Sequence, residues 1–239
     1  MELAGLEIEL VLKKIKNLHL AVYPPDGRIR LAAPLETDIG TLEVYVASKI
    51  PWIRKQQRVI MRQPRQLVRL FEERESHYFQ GRRYLLRVAE QAPGQKPEVR
   101  IFRKKFLEVR VQEPSSFEMK RDAVESFYRA ELRKTLGELI PTWEARLGVL
   151  SAKWRIKLMK TKWGSCNPDT GNLLFNLELA KQPIECVEYV VAHELAHFLE
   201  RTHNGIFQAL LNQHLPNWRI LKERLAETPI AVLNVESHE

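Results

Sequence analysis

Cysteine is nearly missing from this chain: Cys166 and Cys186 are the only two among 239 residues, too few for a disulfide framework. Long apolar runs are missing as well. No window approaches the roughly 18 uncharged apolar residues that a membrane-spanning helix needs. The N-terminal residues, Met1 to Glu7, lack the basic-then-apolar pattern of a secretory signal. These absences predict a soluble protein of a reducing compartment, cytoplasmic and without a membrane partner. No block of like charges occurs either; Arg103-Lys104-Lys105 is the densest short run. The 38 basic against 30 acidic residues still leave a net charge of +8. That balance permits nucleic acid or another polyanion as a partner, although solvated lysines and arginines are the simpler cause. No motif specifies an oligomeric state. With 44% apolar residues, the chain is long enough to bury a sizeable core in one large domain or two small ones.

What the chain does have is a His-Glu-x-x-His pattern within Val190 to Leu199. On an α-helix, His193 and His197 lie four residues apart, about 40° around the axis and one turn along it. Both imidazoles then face one side, close enough to hold one metal ion. Zinc suits imidazole ligands, and a catalytic zinc keeps three protein ligands and one open water position. Glu194 falls on the same sector, where it can take a proton from a metal-activated water. Val187, Val191, Leu195 and Phe198 form the neighbouring apolar stripe, so the helix puts its back in a core. Pro183 fits the first helical turn. The competing reading, satisfied structural histidines, needs a chance match on the order of a few per cent in a chain of this composition.

A third ligand has to come from elsewhere. His203 follows His197 by a step that, continued as helix, would rotate it about 240° to the wrong side. The helix is therefore expected to end near Leu199 to Arg201, with the chain turning back through Thr202-His203-Asn204-Gly205. The same spacing occurs in metzincin proteases, which have glycine at the position of Glu200. His214 and Glu223 are the other candidates for third ligand.

The fold class expected is α+β. A mostly β N-terminal region with short helices would span residues 1–113, a metal-dependent hydrolase domain (zincin-like by the resemblance described below) 114–228, and a tail 229–239. Alternation places strands at Leu6–Leu12, Leu18–Val22 and Arg28–Ala32, with a turn through Pro24-Pro25-Asp26-Gly27. Thr37 or Asp38 caps a helix to about Lys49, and Pro51 opens another turn; its basic face, Arg54, Lys55, Arg58 and Arg62, is most simply solvated. Hairpins follow at Tyr78–Tyr84 and Val99–Val111. A Ser115-x-x-Glu118 capping box starts a long amphipathic helix that Pro141 ends or kinks, and Gly148 closes the segment. Arg155 to Lys160 and Asn172 to Ala180 read as strands flanking the Asn167–Gly171 turn. His77 is read as structural, Cys166 as a packed thiol, and His238 as part of a frayed tail.

Several of these segments together resemble the YgjP-like metallopeptidase-domain family. They are Lys162-Trp163-Gly164-Ser165-Cys166, Asn176, Tyr189 to His197 and His203-Asn204-Gly205-Ile206-Phe207. Leu215-Pro216-Asn217-Trp218 fits too, with leucine where the family usually has methionine, and Gln208 stands where tryptophan is common. Trp52-Ile53, the Gly81 hairpin and Phe127-Tyr128-Arg129 extend the resemblance over nearly the whole chain. It implies a zincin-type fold related to SprT-like and WLM proteases, some of which act on DNA-bound proteins. It also implies ligand roles for His193, His197 and His203 and the base role for Glu194. Some family members are described as UTP pyrophosphatases.

Three functions are therefore weighed. The first is a zinc-dependent peptidase acting on polypeptide, with the strand from Leu173 to Leu179 along the cleft and Lys162, Trp163 and Asn176 as candidate substrate-binding residues. The second is nucleotide pyrophosphate hydrolysis at the same metal. Three histidines argue against it, because phosphate chemistry favours hard cations with oxygen ligands, and no glycine-rich phosphate loop is present. The third is a nucleic-acid-associated module with a structural metal, which would have no use for Glu194.

Overall fold

The first strands follow from glycine placement and alternation. Ala4 and Gly5 both have positive φ, 50° and 73°, as a two-residue type I′ hairpin turn demands. That turn joins β1 (Glu2–Leu3) to β2 (Leu6–Lys13). With β3 (His19–Tyr23) and β4 (Arg28–Pro34) they form a sheet of order β1-β2-β4-β3, in which β2 runs parallel to β4. The computed structural model describes residues 1–23, 26–62, 69–159 and 161–227; Pro24, Pro25, Lys160 and the tail with His238 lie outside the described residues, as does the side chain of Arg62.

Helix α1 (Ile39–Arg62) corrects the expectation of short helices. It runs straight through Pro51, where the sequence suggested a break. Leu42, Val46 and Ile53 are all fully buried on one stripe. Ile53 keeps the helical phase beyond the proline, so its burial offsets the single backbone hydrogen bond lost there. These side chains share a core with Ile8, Ile29 and Leu31. Asp38 caps the helix through Thr41 N–H.

The next strands repeat this plan. β5 (Ser76–Phe79), β6 (Arg82–Glu90), β7 (Glu98–Phe102) and β8 (Phe106–Val111) form a sheet of order β5-β6-β8-β7. Gln80 and Gly81 make the same positive-φ turn, 48° and 75°. In the parallel pairs, Leu10 faces Leu31 and Leu86 faces Leu107, with the same sequence offset between partners. A long helix again follows: α2 (Phe117–Leu147). Ser116, not Ser115, is its N-cap, and Pro141 is accommodated within it before Gly148 ends it at φ 67°.

The described residues divide into two compact units, Met1–Leu67 and Val68–Ile230. That division falls well before the expected one at residue 113. The reason is packing: Leu86, Leu107, Val109 and Val111 share one core with Val124, Tyr128, Leu132 and Leu136 of α2. The second strand group therefore belongs with the segment that carries the histidines. That segment comprises β9 (Lys153–Lys157), β10 (Gly164–Asn167), β11 (Asn172–Asn176), a 3-10 helix (Leu177–Lys181), α3 (Ile184–Ala196), α4 (Gly205–His214) and α5 (Trp218–Ala226).

Two devices fix the entry to α3. Gln80 and Gly81 donate their N–H groups to Ala180 O (3.0 Å) and Lys181 O (2.9 Å). A side chain at Gly81 would meet Pro183 Cγ at 2.7 Å, so only glycine lets the hairpin tip sit there. Beside it, Lys181 and Glu178 form a buried ion pair at 2.5 Å. Burial pulls the Lys181 pKa down despite Glu178.

Candidate metal centre

Helix α3 is buried on almost every side, through Val187, Val190, Val191, Ala192 and Leu195. In its last turns the sector of His193 and His197 opens outward, with both rings half-buried. The helix stops at Ala196, a turn earlier than the sequence suggested. Phe198 and Leu199 donate to Leu195 and Ala196 carbonyls three residues back, which tightens the end. The following turn is held without glycine: the Glu200 carboxylate accepts Thr202 N–H (3.0 Å) and Thr202 Oγ1–H (2.9 Å). Asn204 then caps α4 by accepting from Ile206 N–H and Phe207 N–H. His203 sits between these two fixed points.

The three histidines converge. Their ring centroids are 5.0, 4.8 and 4.8 Å apart, and His203 Nε2 lies 2.9 Å from His193 Nε2. One ring nitrogen from each lies within 4.8 Å of the others. Imidazole–zinc bonds of about 2.0–2.1 Å at a tetrahedral angle need nitrogens roughly 3.4 Å apart, so the set fits such an ion. His197 Nδ1 faces the Glu200 carbonyl at 3.1 Å, which fixes the proton there and leaves Nε2 free to ligate. Burial above all, then His197, His203 and Lys222, lowers the His193 pKa to about 3. Burial lowers that of His203 too. Both rings therefore present lone pairs at neutral pH. Phe207 backs all three rings at 5.0, 4.8 and 4.8 Å. His214 and Glu223 are not part of the cluster found among the described residues.

Glu194 is only 6% exposed. Burial pushes its pKa up to about 7, against Lys162 and the Cys166 N–H, which favour the carboxylate. The strand β10 lies directly against it: a Cβ on Gly164 would stand 2.5 Å from Glu194 Oε1. Two cavities open from this point, of about 380 and 310 Å³. Both are lined by Lys162, Gly164, His193 and Glu194. The larger continues past Cys166 and His197 to Arg201; the smaller passes Trp163 and Tyr189 to Lys222.

The YgjP-like metallopeptidase-domain model matches residues 16–228. The chain belongs to this family. No curated protein matches it. Among solved structures, the metallopeptidase zymogen abylysin of Pyrococcus abyssi is similar at 20% identity and a TM-score of 0.36, over 38% of this chain and 90% of its own. The zymogen jannalysin of Methanocaldococcus jannaschii gives 24% and 0.35, over 38% and 87%. Membership places the chain among peptidase-like hydrolases and implies a metal ion and polypeptide substrates. It lends nothing to nucleic-acid binding. No helix among the described residues is long and apolar enough to cross a membrane.

Within this YgjP-like domain, Lys162 and Trp163 reach the cleft but Asn176 does not. Asn176 is fully buried, and its amide donates to Met159 O (2.8 Å) and Lys162 O (2.7 Å). It holds the loop that carries Lys162 and Trp163. β11 is also not the strand along the cleft. It is central, hydrogen-bonded to β10 on one side and β9 on the other, and it ends at Asn176 rather than Leu179 or Ala180. Among the described residues β10 and β9 are both edge strands of this sheet, and β10 is the edge that lies against Glu194. Burial and Glu194 push the Cys166 thiol up to about 11, so it is a neutral packed group. His77 is fully buried, with Nδ1 2.9 Å from Arg69 Nη1. The roles of Gly164 and of the Cys166 N–H were missed in the sequence. The available signal was a glycine inside a strand, which marks a close approach.

Proposed function

We propose that the chain is a zinc-dependent peptidase in which His193, His197 and His203 hold the ion and Glu194 is the general base. The observation that carries this reading is the buried Glu194 carboxylate beside three converging imidazoles, with a strand edge against it. Three imidazole donors suit zinc over hard cations. When bound, zinc supplies Lewis-acid polarisation of the scissile carbonyl and of a water. Glu194 accepts the proton of the attacking water and returns it to the leaving amine. The Cys166 N–H favours the carboxylate form of Glu194 that starts this cycle. An extended substrate pairs with the free edge of β10, and the two cavities take the chain on either side of the scissile bond.

Nucleotide pyrophosphate hydrolysis is the second reading, favoured by Lys162 and Arg201 in one cavity and Lys222 in the other. A structural-metal module leaves the buried Glu194 without purpose. The test combines elemental analysis with parallel assays of a casein-like protein, with and without single-stranded DNA, and a nucleotide panel. The peptidase reading expects about one zinc per chain and proteolysis that Glu194→Gln reduces by about 10²- to 10⁴-fold with zinc retained. Pyrophosphate release from UTP that vanishes in Glu194→Gln, with no proteolysis, would overturn it.

A further inference from the structure

A separate concave surface of about 530 Å³ lies on the outward face of the three-stranded sheet. Strand alternation creates it. Trp154 and Ile156 of β9 turn to the core, while Lys153, Arg155 and Lys157 turn outward and are exposed. In the register of the sheet, Asn172 stands beside Lys153, and Leu174 lies between Arg155 and Ser165. The groove is thus lined by Lys153 and Arg155 with Asn, Ser, Thr and Leu side chains and, among the described residues, by no carboxylate. Among the described residues, none of the three β9 cations forms an ion pair; the nearby Asp169 is held by Arg201.

We infer that this groove is an exosite for an acidic segment of the polypeptide substrate, so that the protein selects acidic chains. The inference rests on the peptidase reading above and specifies its substrate. Three observations favour it. Ser165 lines both this groove and the larger cavity at the histidines, so one chain can run from one to the other. The charge along that route is mostly positive: Lys153, Arg155 and Lys162 line it, Arg201 is paired with Asp169, and Glu194 is the one carboxylate among the described residues that line it. The outward cations of β9 repeat every second residue, about 6.6–7 Å, which is the repeat of alternate side chains on an extended peptide. Acidic residues at every second position would face them in register. Among the described residues no aromatic side chain lines the groove, which gives no stacking platform of the kind a single-stranded nucleic-acid site uses.

The test measures binding apart from turnover. The full-length chain carrying Glu194→Gln is titrated into a labelled peptide with a run of glutamates, its glutamine counterpart, and a single-stranded oligonucleotide. The glutamate peptide is expected to bind about tenfold more tightly than the glutamine peptide, since two exposed ion pairs contribute on that scale. Adding Lys153→Ser and Arg155→Ser, or raising salt, removes the difference. In the otherwise wild-type protein, the same pair raises KM for a glutamate-bearing substrate and leaves kcat unchanged. Equal binding of the two peptides by the parent protein overturns the exosite, and this arm needs no groove variant to fold. So does tighter binding of the oligonucleotide through Lys153 and Arg155. Glutamate-selective binding with no cleavage of any peptide by the zinc-loaded wild type upholds the groove and refutes the peptidase reading instead.

Discussion

Gly164→Ala isolates the contact between β10 and Glu194, the general base we propose. The new Cβ would stand 2.5 Å from Glu194 Oε1, 2.7 Å from Cγ and 2.8 Å from Cδ. Ordinary contact between such atoms begins near 3.5 Å, so something must move by about 1 Å. Gly164 is outside the left-handed region, so alanine adds no backbone strain. The collision is with one side chain, and Glu194 is too buried to swing freely into solvent. A shift of about 1 Å at a reacting group costs on the order of 10²-fold in rate, rising toward 10⁴-fold if the base is lost altogether. Zinc content should hold, because none of the three histidines is touched. Overpacking should cost about 1–3 kcal/mol of stability. In a Glu194→Ala background the obstructing atoms are gone. The same Gly164→Ala change should then be neutral or stabilise by up to about 1 kcal/mol through the unfolded chain. Denaturant unfolding of the four proteins of this cycle, with proteolysis and zinc assays on the parent and Gly164→Ala, tests the reasoning. Wild-type turnover in zinc-replete Gly164→Ala, or an equal stability cost in both backgrounds, refutes it.

His203→Ala should sharply reduce zinc content while the fold survives, since α3 is held by its apolar sides; unchanged zinc, with loss on His214→Ala or Glu223→Ala, would move the third ligand elsewhere. Gly81→Ala should destabilise the larger unit by about 2–4 kcal/mol, from positive φ plus the Pro183 collision. The matching Gly5→Ala has positive φ but open space around it, and should cost only about 1 kcal/mol in the smaller unit; equal costs in thermal unfolding would discount the Pro183 contact. Asn176→Ala should cost about 2–4 kcal/mol by stranding the Met159 and Lys162 carbonyls, and should raise KM through the loosened Lys162–Trp163 loop. A raised KM at undiminished stability would instead make Asn176 a substrate contact.

The elements were legible where a local pattern had one reading. The hairpin at Gly81, the strands β2, β3 and β4 and the Gly148 helix end follow from alternation and turn residues, whereas the two-residue β1 carries too short a pattern to read. The spacing of His193 and His197 likewise leaves one geometry, whereas His203 was one of three candidates with His214 and Glu223, and only the tertiary fold brings its ring to the other two. Prolines misled because their cost is local and fixed, whereas burial of Ile53 and Trp143 beyond Pro51 and Pro141 depends on what packs against them. The expected boundary at residue 113 rested on local signals in the same way: no feature near it records that Leu107 and Leu136 share a core.

The strand along the cleft was misplaced by a different cause. β10 is short and polar, with Gly164, Ser165 and Asn167, and carries almost no strand signal, while β11 reads Leu-Leu-Phe and carries a strong one. That inequality follows from topology. A central strand gains its stability from apolar side chains on the core face and from neighbours on both sides. An edge strand facing a cleft must keep backbone groups available and leave room for a catalytic side chain, which favours small and polar residues. The weakness of Gly164 to Asn167 as a strand and its fitness to lie against Glu194 have one origin. In this chain, the stretch between the last strong strand signal and the metal helix is therefore scaffold, and the weaker stretch before it faces the chemistry.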